Sequence, residues 1–444
     1  MTLERDKTLQ RNDLRAYFKP KERTASQALR IGVELEKIAL CKKSLNTIPM
    51  DGANSIQSLL RDFAQITDWQ LILEGETIIG LKKDEDLISI EPGGQLELSC
   101  QESESIQDLY LQEQNHLDLL KRLSLGKEIL WSGLGLQPLS APASMEWLNK
   151  ARYGLMSRYL ITRGHLAHWM MKMTSSIQVS IDFKDELDAA KKVAVAAKWS
   201  PIFTAAFANS YISQGKVNDF HSYRSEIWQH TDPARCGLPE CYFKKEFCIN
   251  DYIEYALDTP MIFIQRANQT IPITNMNFKR FLDQGWEGEV ATQEDWHTHL
   301  SLLFPEIRLK SFVEIRSFDR QNAQQTFLIP LLMKLCFYSN AALNQLQQLS
   351  TNWSHEDCNQ ALSQAAKLGL NGKLQDASLR DWFKELLQCA RMGYVELNEK
   401  NELDAYEREL YQQLIQLKES PSETALRQIQ QGAPITQIIR NSEL

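Results

Sequence analysis

Several signals that would assign a function class directly are absent from this sequence. The eight cysteines form no CxxC pair, no GxGxxG, GxxxxGK(S/T) or GxSxG motif occurs, and no apolar run approaches 18 residues. These absences argue against a disulfide framework, Rossmann or P-loop nucleotide binding, serine-hydrolase chemistry and a membrane span. The net charge of −8 disfavours sequence-independent nucleic-acid binding. Because the charged N-terminus has no apolar signal region, we expect reduced thiols in a cytoplasm, with no membrane and no nucleic-acid partner.

The periodicity of apolar residues predicts an α+β protein. Alternation of Val and Ile with polar residues is typical of strands, and spacings of three and four are typical of amphipathic helices. These patterns predict strands over 31–40, 70–80, 87–99 and 172–183 and helices over 102–128 and 145–163, with an almost purely helical pattern beyond 323. We therefore divide the 444 residues into three parts. They are a polar N-terminal arm, 1–30, a strand-bearing domain, 31–320, and a helical C-terminal region packed on that domain, 321–444.

The first predicted strand carries two carboxylates on one face. Alternation places Glu34 and Glu36 together, opposite an apolar face. The fourth predicted strand likewise presents polar side chains, among them Thr174 and Gln178, on one face. A single strand of this kind is usually half-solvated, so the pattern by itself leaves an ordinary antiparallel strand open as the interpretation.

Three more glutamates extend this acidic pattern. Glu91 and Glu97 flank a Pro-Gly-Gly break, and Glu314 shares a strand face with Arg316. Acidic residues are depleted in strands and repel one another across them, so neighbouring strands of this kind would need a compensating cation. Mg²⁺ is the natural one, because it takes oxygen ligands and shares them with substrate phosphates. The sequence alone does not show that these strands are neighbours.

The loop from 209 to 237 carries complementary positive charge. Arg224 and Arg235, with Trp228 between them, are residue types that clamp a carboxylate or a phosphate through bidentate hydrogen bonds. The alternative is that both arginines pair with acids of the protein itself.

Two other clusters favour ordinary structural roles over metal binding. Cys236, Cys241 and Cys248 are five and seven residues apart, unlike zinc ligands, so we expect free thiols. His165 and His168 share a helix face, but no acidic residue is spaced to complete a zinc site.

Six segments in a common order resemble the plant and proteobacterial type of glutamate–cysteine ligase. They cover about residues 28 to 320 and read IGVELEKIAL, ISIEPGGQLELS, MTSSIQVSIDF, ANSYISQGKVNDFHSYRSEIWQHTDPARCG, YIEYALDTPMIFI and LSLLFPEIRLKSFVEIRSFD. The resemblance implies a glutamine-synthetase-like fold, in which a curved, mainly antiparallel sheet forms a funnel packed by helices. It also implies ATP- and Mg²⁺-dependent ligation of the L-glutamate γ-carboxylate to the amine of L-cysteine. That reaction passes through γ-glutamyl phosphate and is the first step of glutathione biosynthesis.

The same resemblance, carried over position by position, implies the site residues. The implied metal ligands are Glu34, Glu36, Glu91, Glu97 and Glu314. The implied substrate-binding residues are Arg224, Trp228, Arg152, Gln178 and Thr174. Arg235 and Arg316 are implied as catalytic residues that also bind ATP, because their charge would neutralise phosphates or a substrate carboxylate.

The sequence departs from the family pattern near the implied acceptor pocket. Ser180 stands where the family usually has Asn, and Ile315–Asp319 and Val217–His221 differ from the usual runs. We therefore expect the region around Val217–His221, Ser180 and Phe318 to choose the acceptor amine. Two alternatives stay open: a ligase of the same family that joins glutamate to a different amine, and a catalytically inactive binding protein that keeps the fold.

Overall fold

The computed structural model describes residues 8–19, 28–84, 86–267 and 269–444. Its largest element is a nine-stranded sheet in which every pairing is antiparallel. The strands of the described residues are β1 (Ile31–Cys41), β2 (Gln70–Glu74), β3 (Thr77–Lys83), β4 (Asp86–Ile90), β5 (Leu96–Ser99), β6 (Ile129–Ser132), β7 (Ser176–Ile181), β8 (Ile212–Ser213), β9 (Lys216–Val217), β10 (Cys236–Gly237), β11 (Phe263–Arg266), β12 (Gln269–Pro272), β13 (Phe304–Pro305), β14 (Ile307–Leu309), β15 (Val313–Asp319), β16 (Lys373–Leu374) and β17 (Ala377–Ser378). The large sheet has the order β14-β15-β7-β1-β5-β4-β3-β2, and β6 also pairs with β1.

Helices cover the sheet and make up most of the C-terminal region. The α-helices of the described residues are α1 (Ile56–Gln65), α2 (Ile106–Ser124), α3 (Ala151–Leu160), α4 (Ala167–Met173), α5 (Glu186–Ala206), α6 (Tyr223–Gln229), α7 (Ile249–Asp258), α8 (Phe278–Gln284), α9 (Gln293–Ser301), α10 (Ala323–Thr326), α11 (Leu328–Tyr338), α12 (Asn340–Leu349), α13 (His355–Leu368), α14 (Leu379–Glu399), α15 (Ala405–Leu414), α16 (Pro421–Gln430) and α17 (Ile435–Asn441). Short 3₁₀ helices span Arg11–Phe18, Leu125–Lys127, Pro142–Ser144, Glu240–Phe243 and Gly369–Asn371. Among the described residues, no single helix has the length and hydropathy to cross a membrane. The segments Ala323–Tyr338 and Asn340–Leu349 meet both requirements only when taken together, and they are bent by 89° with respect to each other. The predicted antiparallel sheet packed by helices is confirmed.

The sheet has one apolar face and one polar face because its strands alternate. In β1, Ile31, Val33 and Leu35 are at most 2% exposed, and they alternate with Glu34 and Glu36. Helix α5 packs against β14 and β15 on the apolar face, with most of its residues buried. A helix that is apolar on all sides belongs in a core, so α5 supports the sheet from behind and leaves the other face for polar side chains.

Turn residues divide two of the predicted strands. The stretch 70–80 contains the hairpin of β2 and β3, whose turn includes Gly75 at φ +61°. The stretch 87–99 is divided by its Pro-Gly-Gly break into β4 and β5. The stretch 172–183 begins within α4, so β7 starts only at Ser176. The alternation of apolar residues therefore located the strands, and the turn residues determined where each strand begins and ends.

The N-terminal arm is packed more closely than its polar sequence predicts. Its described part includes a 3₁₀ helix in which Leu14 is fully buried. The indole of Trp296 donates a hydrogen bond to the carbonyl of Leu14 at 3.2 Å. Residues 1–7 and 20–27 of the predicted arm lie outside the described residues.

The helical C-terminal region shares a hydrophobic core with the sheet. Leu331 of α11 belongs to the same buried cluster as Val179 of β7, and this cluster also includes Leu14 of the arm. The amide of Leu444 donates to the carbonyl of Trp131 in β6 at 2.9 Å. Because one hydrophobic core contains residues from all three predicted parts, the structure does not separate them, and the boundaries at residues 30 and 320 stay predictions.

Candidate active site

The register of four neighbouring strands gathers the predicted polar residues on one face of the sheet. Glu36 of β1 lies directly opposite Glu97 of β5, and Glu34 lies opposite Gln178 of β7. On the far side of β7, β15 adds Glu314 to the same face. Directly paired residues project their side chains to one side of a sheet. The adjacency that the sequence could not show is therefore present: β15, β7, β1 and β5 are consecutive in the sheet.

Glu91 reaches this surface from the turn between β4 and β5. Its amide donates to the carbonyl of Gln95 at 2.8 Å, and Gly94 has a φ of +88°. A Cβ on Gly93 would lie 2.3 Å from the carbonyl oxygen of Lys172, so only glycine fits there. The Pro-Gly-Gly break thus lets the turn approach α4 closely and holds Glu91 beside the strand-borne carboxylates.

A cavity of about 550 Å³ lies over this polar face. Nine of the twelve predicted site residues line it, namely Glu34, Glu36, Glu91, Glu97, Arg152, Thr174, Gln178, Trp228 and Arg316. The other three, Arg224, Arg235 and Glu314, are buried behind its wall. The cavity is of the size and polarity in which small molecules bind.

The carboxylates of Glu34, Glu36, Glu91 and Glu97, which we call the acidic side, line the cavity together, and three of them have a raised pKa. Burial and then the charge of Glu91 raise the pKa of Glu36 to about 7. Burial, followed by the charges of the neighbouring glutamates, raises the pKa of Glu97 well above its ordinary value. Burial also raises the pKa of Glu91, although nearby lysine and arginine charges oppose it. Burial and mutual repulsion therefore favour the protonated forms of Glu36, Glu91 and Glu97.

The opposite wall, the cationic side, consists of Arg308, Lys310 and Arg316 arranged around one buried carboxylate. Arg308 donates two hydrogen bonds to Glu314, at 2.6 and 2.9 Å, and Lys310 and Arg316 donate to it at 2.7 and 3.1 Å. Burial alone would raise the pKa of Glu314, but these three charges hold it well below its ordinary value. Metal binding by Glu314 would require these cations to move, so that role stays a prediction.

Two buried donors beside the cationic side have no acceptor among the described residues. They are Nε1 of Trp228 and Nε of Arg224. The guanidinium of Arg224 lies 6.0 Å from the ring centre of Trp228 and donates through Nη2 to the carbonyl of Arg316 at 2.8 Å. Buried N–H groups without a partner are unfavourable, so an acceptor such as a ligand carboxylate would stabilise both. This geometry agrees with the predicted substrate-binding role of Arg224 and Trp228, which stays a prediction.

Gln178 connects the two sides of the cavity. Its Oε1 accepts a hydrogen bond from Arg316, and its Nε2 lies 3.5 Å from a carboxylate oxygen of Glu97. The hydroxyl of Thr174 donates to a backbone carbonyl of α4 at 2.8 Å. Arg152, at the acidic end, has a buried Nε without a hydrogen-bond partner in the described structure. Of these three residues, Arg152 is therefore the one with a donor still available to a ligand.

The structure places Arg235 outside the lining of this cavity. Its side chain is fully buried, and its Nε donates to Asp232 at 2.6 Å. Its two Nη atoms donate to the carbonyls of Leu302 and Pro260 at 3.1 and 2.8 Å. These bonds leave Arg235 without exposed surface, and its catalytic and ATP-binding role stays a prediction. Both loop arginines pair with acids of the protein, since Nη1 of Arg224 also lies 3.9 Å from Asp319.

The positions expected to choose the acceptor amine also lie outside the cavity lining. Val217 is exposed, and Nδ1 of His221 lies 2.8 Å from the hydroxyl of Ser422. Phe318 is fully buried, with its ring 5.6 Å from that of Phe203. A register shift in β15 between Ile315 and Phe318 turns this phenylalanine to the apolar face, which simple alternation does not predict.

The charged lining residues that the sequence analysis missed are Lys150, Arg308 and Lys310, and it also missed the ring of Tyr17. Arg308 and Lys310 alternate with apolar residues just before the strand that carries Glu314, so the period-two pattern could have identified them. Tyr17 has no such signal, because only the docking of the arm brings it to the cavity.

The donors of the acidic side fit an oxygen-binding divalent cation. Mg²⁺ is usually bound by one or two carboxylates and completes its shell with water and phosphate oxygens. Across the described residues, no three His, Cys, Asp or Glu side chains converge as a closed metal site, and this includes the cysteine and histidine clusters noted in the sequence. All eight cysteines are free thiols. A cation on the acidic side would therefore share its shell with a substrate.

A larger cavity of about 690 Å³ opens beside α3 and has a different character. Its charged lining residues are Arg158, Arg163 and Asp258, and the rest of the lining is neutral. Carboxylates with raised pKa values and buried donors without acceptors occur together in the smaller cavity, which is the combination expected of a functional site. We therefore place the active site there.

Comparison with known proteins identifies the family of this chain. The model of the glutamate–cysteine ligase family 2 (GCS2) matches residues 30–426. The chain is 34% identical over 410 residues to the chloroplastic glutamate–cysteine ligase B of Oryza sativa subsp. japonica, covering 89% of this chain and 81% of that protein. It is 33% identical over 404 residues to the chloroplastic glutamate–cysteine ligase of Arabidopsis thaliana, covering 89% and 77%.

Two solved structures share the fold at low sequence identity. The glutamate–cysteine ligase of Francisella tularensis in complex with AMP has a TM-score of 0.54 at 13% identity, covering 96% of this chain and 89% of that one. A bifunctional glutathione synthetase from Pasteurella multocida has a TM-score of 0.54 at 11% identity, covering 93% and 51%. The sequence matches extend over most of the chain, including all the strands of the large sheet. The chain therefore belongs to the glutamate–cysteine ligase family 2 and is a ligase.

Proposed function

We propose that this ligase joins the γ-carboxylate of L-glutamate to the amine of L-cysteine, with ATP as the energy source and Mg²⁺ as the metal. One observation carries the proposal: a single cavity combines an acidic side that nearby cations compensate only in part with buried N–H donors that lack acceptors among the described residues. The acidic side suits a cation that is shared with phosphates, and the free donors suit a carboxylate. A bound substrate set of ATP, Mg²⁺ and an amino acid would satisfy both.

The proposed reaction proceeds in two displacements. A γ-carboxylate oxygen of glutamate attacks the γ-phosphorus of ATP, the bond to the bridging oxygen breaks, and ADP leaves. The amine of cysteine then attacks the carbonyl carbon of γ-glutamyl phosphate, loses a proton, and expels inorganic phosphate. Bound Mg²⁺ would neutralise phosphate charge in the first step.

The chain's own contribution is charge and position. Two anions must meet in the first displacement, so nearby guanidinium and ammonium groups lower its barrier. Arg316 and Lys310 on the cationic side are already oriented by Glu314. Arg152 and Lys150 lie beside the acidic side, where their charges act on Glu91. No side-chain nucleophile is needed in either step.

The acceptor amine is the finer part of the proposal. The neutral wall of the cavity includes Met156, Met170, Met171 and Tyr153. Methionines form adaptable apolar surfaces. This wall suits the short side chain of cysteine, and its adaptability predicts graded discrimination among similar amines rather than absolute selection.

The test is product formation by the purified full-length protein. We expect release of ADP that requires glutamate, Mg²⁺ and an amine together, and a product with the mass of γ-glutamylcysteine. Equal concentrations of cysteine, 2-aminobutyrate and other amines should give cysteine preference. Preference for an unlike amine would favour the different-amine alternative, and nucleotide binding without any ligated product would favour the inactive binding protein.

A further inference from the structure

The N-terminal arm contributes one side chain to the wall of the active-site cavity. Tyr17 lies in the 3₁₀ helix Arg11–Phe18 and lines the cavity together with Arg308, Lys310 and Phe312. The family match begins at residue 30, so this part of the wall comes from outside the matched region. The arm is therefore part of the cavity wall and is not only a segment that precedes the domain.

Neighbouring contacts hold the arm in place on both sides of Tyr17. The ring of Phe18 is fully buried and packs edge-on against Tyr252, with ring centres 5.5 Å apart. Nε of Arg15 donates to Glu186 at 2.6 Å. The ring of Tyr17 itself lies 4.9 Å from that of His297. Tyr17 is therefore fixed by tertiary packing and does not depend on a ligand for its position.

The cavity wall around Tyr17 combines aromatic rings with cations. Nζ of Lys310 lies 5.1 Å from the ring centre of Phe312. Burial raises the pKa of Tyr17, and the charge of Arg308 opposes that effect. The raised pKa keeps the phenol neutral at physiological pH, so this part of the wall presents two neutral rings beside two positive charges.

The substrates differ in how well they match such a wall. Glutamate and cysteine have aliphatic side chains, whereas ATP joins an aromatic base to a polyphosphate. Aromatic side chains stack on bases with little dependence on their sequence context, and lysine and arginine attract phosphates. Only the nucleotide uses both kinds of group at once.

We propose that Tyr17, together with Phe312, forms the contact surface for the base of ATP, with Lys310 and Arg308 on the phosphate side. The inference rests on the proposed function because it takes its ligand from that reaction. It assigns a substrate-contacting residue to the arm, and it makes the arm part of the nucleotide site.

The experiment measures nucleotide binding directly, so it does not depend on product formation. Titration calorimetry with Mg²⁺ and the non-hydrolysable analogue AMP-PNP is carried out on the full-length wild type, Tyr17→Ala and Tyr17→Phe. Loss of one base–aromatic stack should raise the Kd by on the order of tenfold in Tyr17→Ala, and Tyr17→Phe should stay within about threefold. The matched control is Tyr394→Ala, which removes a tyrosine stacked on Tyr411 away from the cavity.

Two further measurements separate the base from the phosphates and from glutamate. Inorganic tripolyphosphate should bind Tyr17→Ala and wild type equally, and the KM for glutamate should change by less than about twofold, because stacking acts only on the base. If Tyr17→Ala does not fold, Tyr17→Leu keeps the apolar bulk and removes the aromatic face.

The outcomes distinguish this inference from the proposed function. An unchanged AMP-PNP affinity in Tyr17→Ala or Tyr17→Leu would overturn the inference, as would a weakened glutamate response with nucleotide binding intact. A wild type that binds AMP-PNP but forms no γ-glutamyl product would contradict the proposed function alone, and the Tyr17 comparison would still decide the inference. A wild type that binds no nucleotide would overturn both.

Discussion

The acidic side and the cationic side of the cavity carry opposite charges and balance them differently. On the cationic side, Arg308, Lys310 and Arg316 all donate to Glu314, and their charges hold the pKa of that carboxyl well below its ordinary value. On the acidic side, burial and neighbouring charge raise the pKa of Glu36 to about 7. On the cationic side three cations share one buried carboxylate, whereas on the acidic side four carboxylates are compensated only in part by nearby charges such as Lys150 and Arg152.

This difference separates preorganisation from binding. A cationic wall held by its own buried carboxylate is ready for phosphate without rearrangement, which is how charge stabilisation is most effective in catalysis. An acidic wall that is compensated only in part favours binding of a divalent cation and is less stable without one. Substitutions on the two sides should therefore affect different properties of the protein.

The largest expected effect is a loss of stability in Glu314→Gln. The substitution leaves Arg308 and its neighbouring cations in a buried place without their counter-charge, and breaking a buried pair from one side lowers the free energy of unfolding by about 3–5 kcal/mol. Urea denaturation of the metal-free protein measures this. Glu36→Gln is the matched comparison, since it removes a repelled carboxylate and should not lower stability. A loss below about 1 kcal/mol in Glu314→Gln would remove the contrast between the two sides.

The next effect is a pH dependence of stability that the acidic side should produce without metal. The pKa of Glu36 is about 7 in the folded protein and 4.5 ordinarily, so between these values the folded state binds more protons than the unfolded state. The free energy of unfolding therefore falls as pH rises from about 4.5 to 7, by at most about 3 kcal/mol. Thermal or urea unfolding in EDTA measures it. Identical pH profiles for wild type and Glu36→Gln would show that this carboxyl has no raised pKa.

Turnover should depend strongly on the acidic side. Glu36→Gln keeps the shape of the side chain and removes a ligand charge, so we expect a loss in rate on the order of a hundredfold. Glu76→Gln, on the exposed hairpin turn, is the control and should match wild type. The measurement is steady-state ADP release at saturating Mg²⁺. Turnover of Glu36→Gln within about threefold of wild type would be incompatible with a metal-binding role.

The smallest expected effect distinguishes the two loop arginines. In Arg224→Lys, the single nitrogen of an ammonium cannot occupy the separate positions of Nη2, which donates to the carbonyl of Arg316, and of Nε, which is free for a substrate carboxylate, so the KM for glutamate should rise by about tenfold. The buried hydrogen bond is also weakened, so we expect a modest drop in thermal midpoint. Arg235→Lys should lower stability and leave the KM for glutamate unchanged. Equal glutamate responses in both variants would return Arg224 to a purely structural role.

The sequence predicted best where strand geometry alone decides position. Glu34, Glu36, Glu97 and Gln178 were placed on one face by alternation, and the sheet register brought them together. The surroundings of Arg235 could not be predicted, because its partners include the carbonyls of Leu302 and Pro260, which are distant in sequence. A loop arginine near a tryptophan looks the same in sequence whether its partner is a ligand or a backbone oxygen.

Tertiary irregularities explain the remaining differences. The register shift in β15 moved Phe318 into the core, and no local pattern announces such a bulge. Tyr17 reaches the cavity only because Leu14 and Phe18 dock the arm on distant helices. The charged residues just before β15 gave a signal that was left unused. Arg308 and Lys310 alternate with apolar residues as clearly as Glu34 and Glu36 do.

We expect the acidic side to hold protons that a divalent cation displaces. Proton release on addition of Mg²⁺ measures this exchange directly. Mg²⁺ is added to the weakly buffered, metal-free protein between pH 6 and 8, and released protons are followed with an indicator dye. We predict release of a substantial fraction of a proton per chain near pH 7, less at pH 8, and clearly less in Glu36→Gln than in wild type. Absence of proton release across this pH range, or equal release from both proteins, would contradict an exchange of protons for Mg²⁺ at Glu36.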